Sequence, residues 1–150
     1  MTSREHELLE LLNSAPVIDG RIVDRLDDPR MSALRDALQG VIRGTADASI
    51  LSPFLEGVRQ APHLGPDGVT WELEGAASDL PYAGLVLEWS RVEREFPGRL
   101  RACANEECNK FLLDHSKPNS ARWCSMAECG NRMKARRHHA RQAAMSGAAQ

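Results

Sequence analysis

Four cysteines in the last third of the chain are spaced Cys103-x4-Cys108-x15-Cys124-x4-Cys129, and there are no others. Two short pairs around a 15-residue spacer suit a tetrahedral site in which each pair supplies one side and a Zn²⁺ the centre. Four thiolates leave no open position for water, so such a zinc is structural rather than catalytic. One structural Zn²⁺ per chain, held by Cys103, Cys108, Cys124 and Cys129, is the expected cofactor. Next to the third cysteine, Ser125-Met126-Ala127-Glu128 has the S-x-x-E form of a capping box. This predicts a helix with Cys124 just outside it and Cys129 in its first turn. Both thiolates then lie near the positive end of the helix, where negative charge is favoured. A knuckle, a small hairpin and a helix carrying the last ligand make a treble-clef-like finger.

The N-terminus, Met1-Thr2-Ser3-Arg4-Glu5-His6-Glu7, is polar and unlike a secretory signal. No apolar run approaches the ~20 residues needed to span a bilayer. The expected setting is cytoplasmic, away from membranes, where thiols stay reduced and serve metals rather than disulfides.

A net charge of −2 hides a strong asymmetry. Residues 1–97 hold nine arginines and no lysine against 17 Asp and Glu, a balance of −8; residues 98–150 hold ten Lys and Arg against four acids, a balance of +6. A basic, cysteine-bearing end on an acidic body points to a polyanionic partner. Arg132 and Arg136 share one edge of the last helix, and Lys134, Arg137 and Arg141 another. Met126, Met133 and Ala140 fall on the face of Cys129, which is expected to pack on the finger. Lys110, Lys117 and Arg122, on the expected hairpin, extend the patch. These eight are the candidate nucleic-acid contacts, with double-stranded DNA as the expected partner. A homodimer is the expected assembly, since one small finger covers few base pairs.

The front of the chain reads as mainly helical, and the whole as α+β. Thr2 and Glu5 form a capping box for a helix with Leu8, Leu9, Leu11 and Leu12 on one broad face. After the Asp19-Gly20 turn, a short segment carries Ile22, Val23 and Leu26. Asp28-Pro29 is an N-cap followed by N1, Met31, Leu34, Leu38 and Val41 recur at helical spacing, and Gly44 closes the helix. Ser52-Pro53 repeats the start signal for a helix through Phe54, Leu55 and Val58. Around the Asp67-Gly68 turn, Val69, Trp71 and Leu73 alternate with polar residues, which predicts a two-stranded hairpin. Ser78 is the expected cap of the longest helix, lined by Tyr82, Leu85, Val86, Trp89, Val92 and Phe96, and stopped by Pro97-Gly98. The expected organisation is a helical domain over 1–97 with a small β-hairpin, a zinc finger over 98–142, and a flexible tail over 143–150.

The run Arg99-Leu100-Arg101-Ala102-Cys103-Ala104, with Cys108, Phe111, Asp114 and Ser116, leads to Arg122-Trp123-Cys124-Ser125-Met126 and Cys129-Gly130-Asn131-Arg132, then Lys134, Arg137 and His138. Over about 99–141 this closely resembles the CGNR zinc-finger family, named for the run at Cys129 to Arg132. That family usually carries its finger behind an ABATE domain, regarded as a stress-induced transcription regulator. Leu11-Leu12-Asn13-Ser14, Ala33-Leu34-Arg35-Asp36-Ala37-Leu38 and Val69-Thr70-Trp71 resemble ABATE landmarks in shortened form. The segment expected between the early turn and the Arg35 helix is largely absent, and Ser116-Lys117 stands where the family tends to have Ser-Arg. The resemblance implies a zinc-binding transcriptional regulator.

Two other classes compete with it. In one, zinc folds the tail and the basic face docks an acidic protein. In the other, the finger is an HNH-like nuclease using His115, but His138 and His139 lie two to three turns beyond the helix start, on the wrong stretch to converge with it. Nothing in residues 1–97 has the look of a catalytic cluster, so no enzymatic activity and no small-molecule substrate is expected. Gly130 costs helix propensity by about 1 kcal/mol, so a close-approach reason is expected, and Asn131 is expected to tie back to the knuckle.

Overall fold

Local signals start most of the helices. In a computed structural model describing residues 1–148, Thr2 and Glu5 close a reciprocal capping box at the head of α1, Ser3–Leu12. Asp28 caps α2, Pro29–Ile42, by accepting from the Arg30 N–H at 2.9 Å. Between them Val17–Ile18 (β1) and Arg21–Ile22 (β2) pair around Asp19 and Gly20. A 3₁₀ helix, Ala48–Phe54, leads to a hairpin of β3, Arg59–Gly65, and β4, Gly68–Glu74. Then follow α3, Leu80–Glu95; β5, Leu100–Ala102; β6, Phe111–Leu113; one π-helical turn, Met126–Gly130; and α4, Asn131–Ala148. The described residues are α+β, with helices and three separate two-stranded antiparallel sheets.

One apolar core joins these pieces. Leu8, Leu11 and Leu12 of α1 meet Leu34 and Leu38 of α2, Leu51 and Phe54, and Val86 and Val92 of α3. Leu100, Phe111 and Leu113, from the strands β5 and β6, belong to the same cluster. The boundary expected at residue 97 is therefore crossed by the core. Gly98, at φ +70°, turns the chain from α3 into β5. The side chain of Asn13 also donates to the Phe111 carbonyl at 3.2 Å and accepts from its N–H at 2.7 Å. Gln39 donates to the Leu12 carbonyl at 2.8 Å, Asn109 to that of Ala15 at 3.0 Å, and Arg43 stacks over the Phe111 ring.

A buried carboxylate ties the helices to the segment after β6. Glu5 accepts from Arg91 of α3 at 2.8 Å and from its own N-cap amide at 2.7 Å, and His115 Nε2 lies 3.3 Å away. Burial pushes the Glu5 carboxyl up, but these partners, Arg91 first, outweigh it and leave it below its ordinary value.

Several expectations fail for identifiable reasons. Ser52-Pro53 does not start a helix: Asp47 caps five residues earlier, so the pair falls inside the 3₁₀ helix, which stops at Leu55. Ser78 does not cap α3; Asp79 holds that position with no side-chain cap bond, its carboxylate taken by Arg30 at 2.6 Å. The longest helix is α4 with 18 residues, not α3 with 16. It runs through Ala148, past the expected start of a flexible tail at Ala143; residues 149 and 150 of that tail lie outside the described residues. The expected packing of the Met126, Met133 and Ala140 face is slight: Met126 lies against Gly130, Met133 is half-buried, and no residue of α4 is fully buried.

Because Phe111 is only 2% exposed and sits where strand and helices meet, Phe111→Ala should destabilise the whole chain by about 3–5 kcal/mol. Denaturant unfolding followed by circular dichroism should report that loss in α1 and α3. Hydrogen exchange should lose protection on both sides of residue 98.

Candidate metal centre

The four cysteine sulfurs lie within 4.8 Å of one another. Cys103 directly follows β5, Cys108 ends the tight turn that joins β5 to β6, Cys124 precedes the π-helical turn, and Cys129 lies inside it. Cys108 and Cys124 are 3.7 Å apart, Cys124 and Cys129 3.6 Å. A tetrahedron with 2.3 Å metal–sulfur bonds has edges of about 3.8 Å, whereas a disulfide needs about 2.05 Å. The donor set thus fits a tetrahedral thiolate-bound ion, and all four cysteines are free. As the sequence predicts, Ser125 caps the turn by accepting from the Glu128 N–H at 3.0 Å. Glu128 does not complete the box; it pairs with Lys110 at 2.7 Å instead. The hairpin encloses the first cysteine pair rather than following it, so Lys110 precedes β6 while Lys117 and Arg122 lie on an irregular loop.

Hydrogen bonds orient the sulfurs. Asn105, fully buried in the knuckle, donates to Cys129 Sγ at 3.4 Å, and the Cys124 N–H donates to Cys103 Sγ at the same distance. Burial pushes the Cys108 thiol up to about 11 and the Cys124 thiol higher still. Burial acts the same way on Cys129, but hydrogen bonds from Asn105 and the neighbouring cysteines outweigh it and leave that thiol below its ordinary value. Thiols held protonated must lose those protons to ligate, so metal affinity falls as pH falls. Asn105, not Asn131, does the tying: Asn131 is exposed. Its only sequence signal is a polar residue inside the first cysteine loop.

A second network builds the loop that returns to Cys124. Hydrogen bonds from Ser116 and from the Ala121 N–H, with Arg101 at 2.8 Å, hold the buried Asp114 carboxyl down at about 2 against its burial. Arg101 also donates to the carbonyls of Gly98 and Ala121, and Arg99 to those of Asp114 and Ser116. These two arginines brace the loop, so they are not part of a free cationic surface. Gly130 has the expected steric reason. A Cβ there would stand 2.5 Å from Met126 Sδ and 3.2 Å from the Trp123 ring. Trp123 is half-buried beneath it, with Arg122 stacked on its ring.

The eight candidate contacts divide in two. Lys110 is paired with Glu128, and Arg136 with Glu107 at 2.6 Å. Arg132, Lys134, Arg137, Arg141, Lys117 and Arg122 are exposed and make no ion pair among the described residues. His138 and His139 are exposed on α4, while His115 stands edge-on to Phe96 beside Glu5. The histidines an HNH-like site would need are therefore directed to different neighbours.

Removing the sulfur-directed amide tests how far the knuckle tunes its ligands. Asn105→Ala should weaken Zn²⁺ affinity roughly 10–100-fold, measured by competition with a chelator. Cys108→Ser, which removes a ligand, should lose far more.

No helix among the described residues is long and apolar enough to cross a membrane. No curated protein matches the chain. Residues 99–142 match the family model described as CGNR zinc finger, a stretch that starts just before β5 and ends within α4. The match leaves the ABATE-like reading of the front half to its sequence landmarks alone. Four clustered thiols, a capped helix turn behind the third of them and this match agree: residues 99–142 are similar to the CGNR zinc finger.

Proposed function

We propose that the chain is a non-enzymatic, DNA-binding transcriptional regulator whose tail is folded by one structural Zn²⁺. The finger is read as treble-clef-like: a knuckle within a hairpin supplies two thiolates, and a helix start supplies two. Zinc is the ion that best suits four thiolates at tetrahedral spacing, and filled coordination gives it a folding role rather than a chemical one.

The observation that carries DNA binding is α4. Its 18 residues include five Lys and Arg and no acid, and none of them is buried. A helix of this length extends about 27 Å and is about 10–12 Å across, close to the width of the DNA major groove. All of its charges are positive and none of its residues is buried, so the partner it suits is polyanionic. The six unpaired cations supply phosphate contacts, while Lys110 and Arg136, already neutralised by acids, contribute less. An ABATE-like front would then be the regulatory half, and DNA binding places the chain in the cytoplasm.

X-ray absorption on the purified protein should show about four sulfur neighbours near 2.3 Å around each zinc, and elemental analysis one zinc per chain. Titration with random duplex DNA should show affinity falling steeply with salt. Lys134→Ala, Arg137→Ala and Arg141→Ala together should flatten that slope by about two to three units, with zinc content unchanged. Absence of duplex binding by wild type at low salt would defeat the DNA reading and leave an acidic protein as the partner for α4.

A further inference from the structure

Trp71, Leu64 and Val69 are 64%, 83% and 58% exposed, although their strands are fully formed. The pairs Pro62–Trp71, Leu64–Val69 and Gln60–Leu73 put these apolar side chains on one face of the β3–β4 hairpin. The opposite face is polar and internally satisfied, with Glu74 accepting from Arg59 at 2.7 Å and facing His63 at 3.3 Å. Isolated two-stranded hairpins are marginal in water, and single-faced alternation is the pattern of a sheet with one face covered. Within the chain, the tip of that face is uncovered.

At its base the same face walls a groove of about 1,090 Å³. The other wall is α3 and the start of α1, where Leu80, Pro81, Gly84 and Leu87 provide an apolar floor. Gly84 has nothing within 4 Å of the place a Cβ would occupy. Arg94 stands at the far end, exposed and without an acidic partner among the described residues. At the hairpin tip Asp67 is likewise exposed and unpaired among the described residues. The molecule thus carries an arm with one apolar face and an acidic tip, and a groove with an apolar floor and Arg94 at one end, its walls also lined by Arg4, Glu7, Glu88 and Arg91.

We infer that the chain forms a two-fold dimer by reciprocal insertion, each copy's β3–β4 arm lying in the other's groove along α3. Asp67 of one copy then meets Arg94 of the other, Trp71 and Leu64 are covered, and the open floor at Gly84 is filled. A two-fold contact uses arm and groove twice. A seven-residue hairpin is about 23 Å long, so one face covers on the order of 400 Å². With the groove receiving a similar area, two insertions bury on the order of 1,600 Å², the size of a standard stable interface. The dimer requires no nucleic acid and stands whether or not α4 binds DNA.

Sedimentation equilibrium of the zinc-loaded full chain, without nucleic acid, should give twice the mass of the 16.6-kDa chain. A variant combining Leu64→Ser with Trp71→Ser should sediment as a monomer, with helical circular dichroism and zinc content unchanged because both side chains are exposed. Asp67→Arg and Arg94→Glu should each weaken the dimer, and the two together should restore it. A monomeric wild type at high micromolar concentration overturns the proposal, as does a dimer indifferent to loss of Trp71 and Leu64. Charge reversals that fail to compensate one another overturn the seating of the arm.

Discussion

Asn13 offers its side-chain amide to the backbone of Phe111 as a neighbouring strand would, with one bond given and one received. β6 is three residues long and has β5 on one side only, so these bonds satisfy peptide groups that a free edge would leave to water. They also hold Phe111 down into the cluster formed by α1, α2 and α3. A metal-binding segment of this size has too little apolar content to fold on its own account. Here Leu100, Phe111 and Leu113 are given to the shared core, and two of the four sulfurs, those of Cys103 and Cys108, hang from the turn between them. The position of the thiols therefore depends on the helical body as well as on any ion they hold.

The charges follow from this placement. An acidic body would attract its own basic tail if the two were in reach. Among the described residues, the acids that capture candidate contacts are Glu107 and Glu128, both within the finger. The body's own arginines are largely internal ties: Arg35 pairs with Asp24 and Asp36, and Arg91 with Glu5, Glu88 and Glu95. Arg136 apart, the cations of α4 are left to solvent and make no ion pair among the described residues.

Short-range chemistry was readable and long-range chemistry was not. The Thr2–Glu5 box, the Asp28-Pro29 start, the Asp67-Gly68 turn and the Ser125 cap all depend on residues within three or four positions, and each forms. The four cysteines could be grouped because metal ligands declare themselves by type and spacing. Asn105 could not, since an amide aimed at sulfur looks like any loop asparagine until the fold brings Cys129 to it. Similarly, Arg99 and Arg101 count as cations in a sequence but serve as carbonyl donors in the structure. The Ser52-Pro53 start lost to Asp47 because two caps competed within five residues. The crossing of the core over residue 98 was hidden because three-residue strands carry almost no periodicity.

A helix held at one end is a lever. α4 is joined to the finger by the turn that carries Cys129 and by the Arg136–Glu107 pair, and along its length of about 27 Å no residue is buried. Rotating the base by about 10° would sweep the free end through roughly 5 Å, nearly a full helical pitch. Small adjustments at the sulfur cluster are thereby magnified into larger displacements of the free end and of Arg141 before it. The turn that carries Cys129, with Gly130 close against Met126 and Trp123, sets the direction in which the lever points.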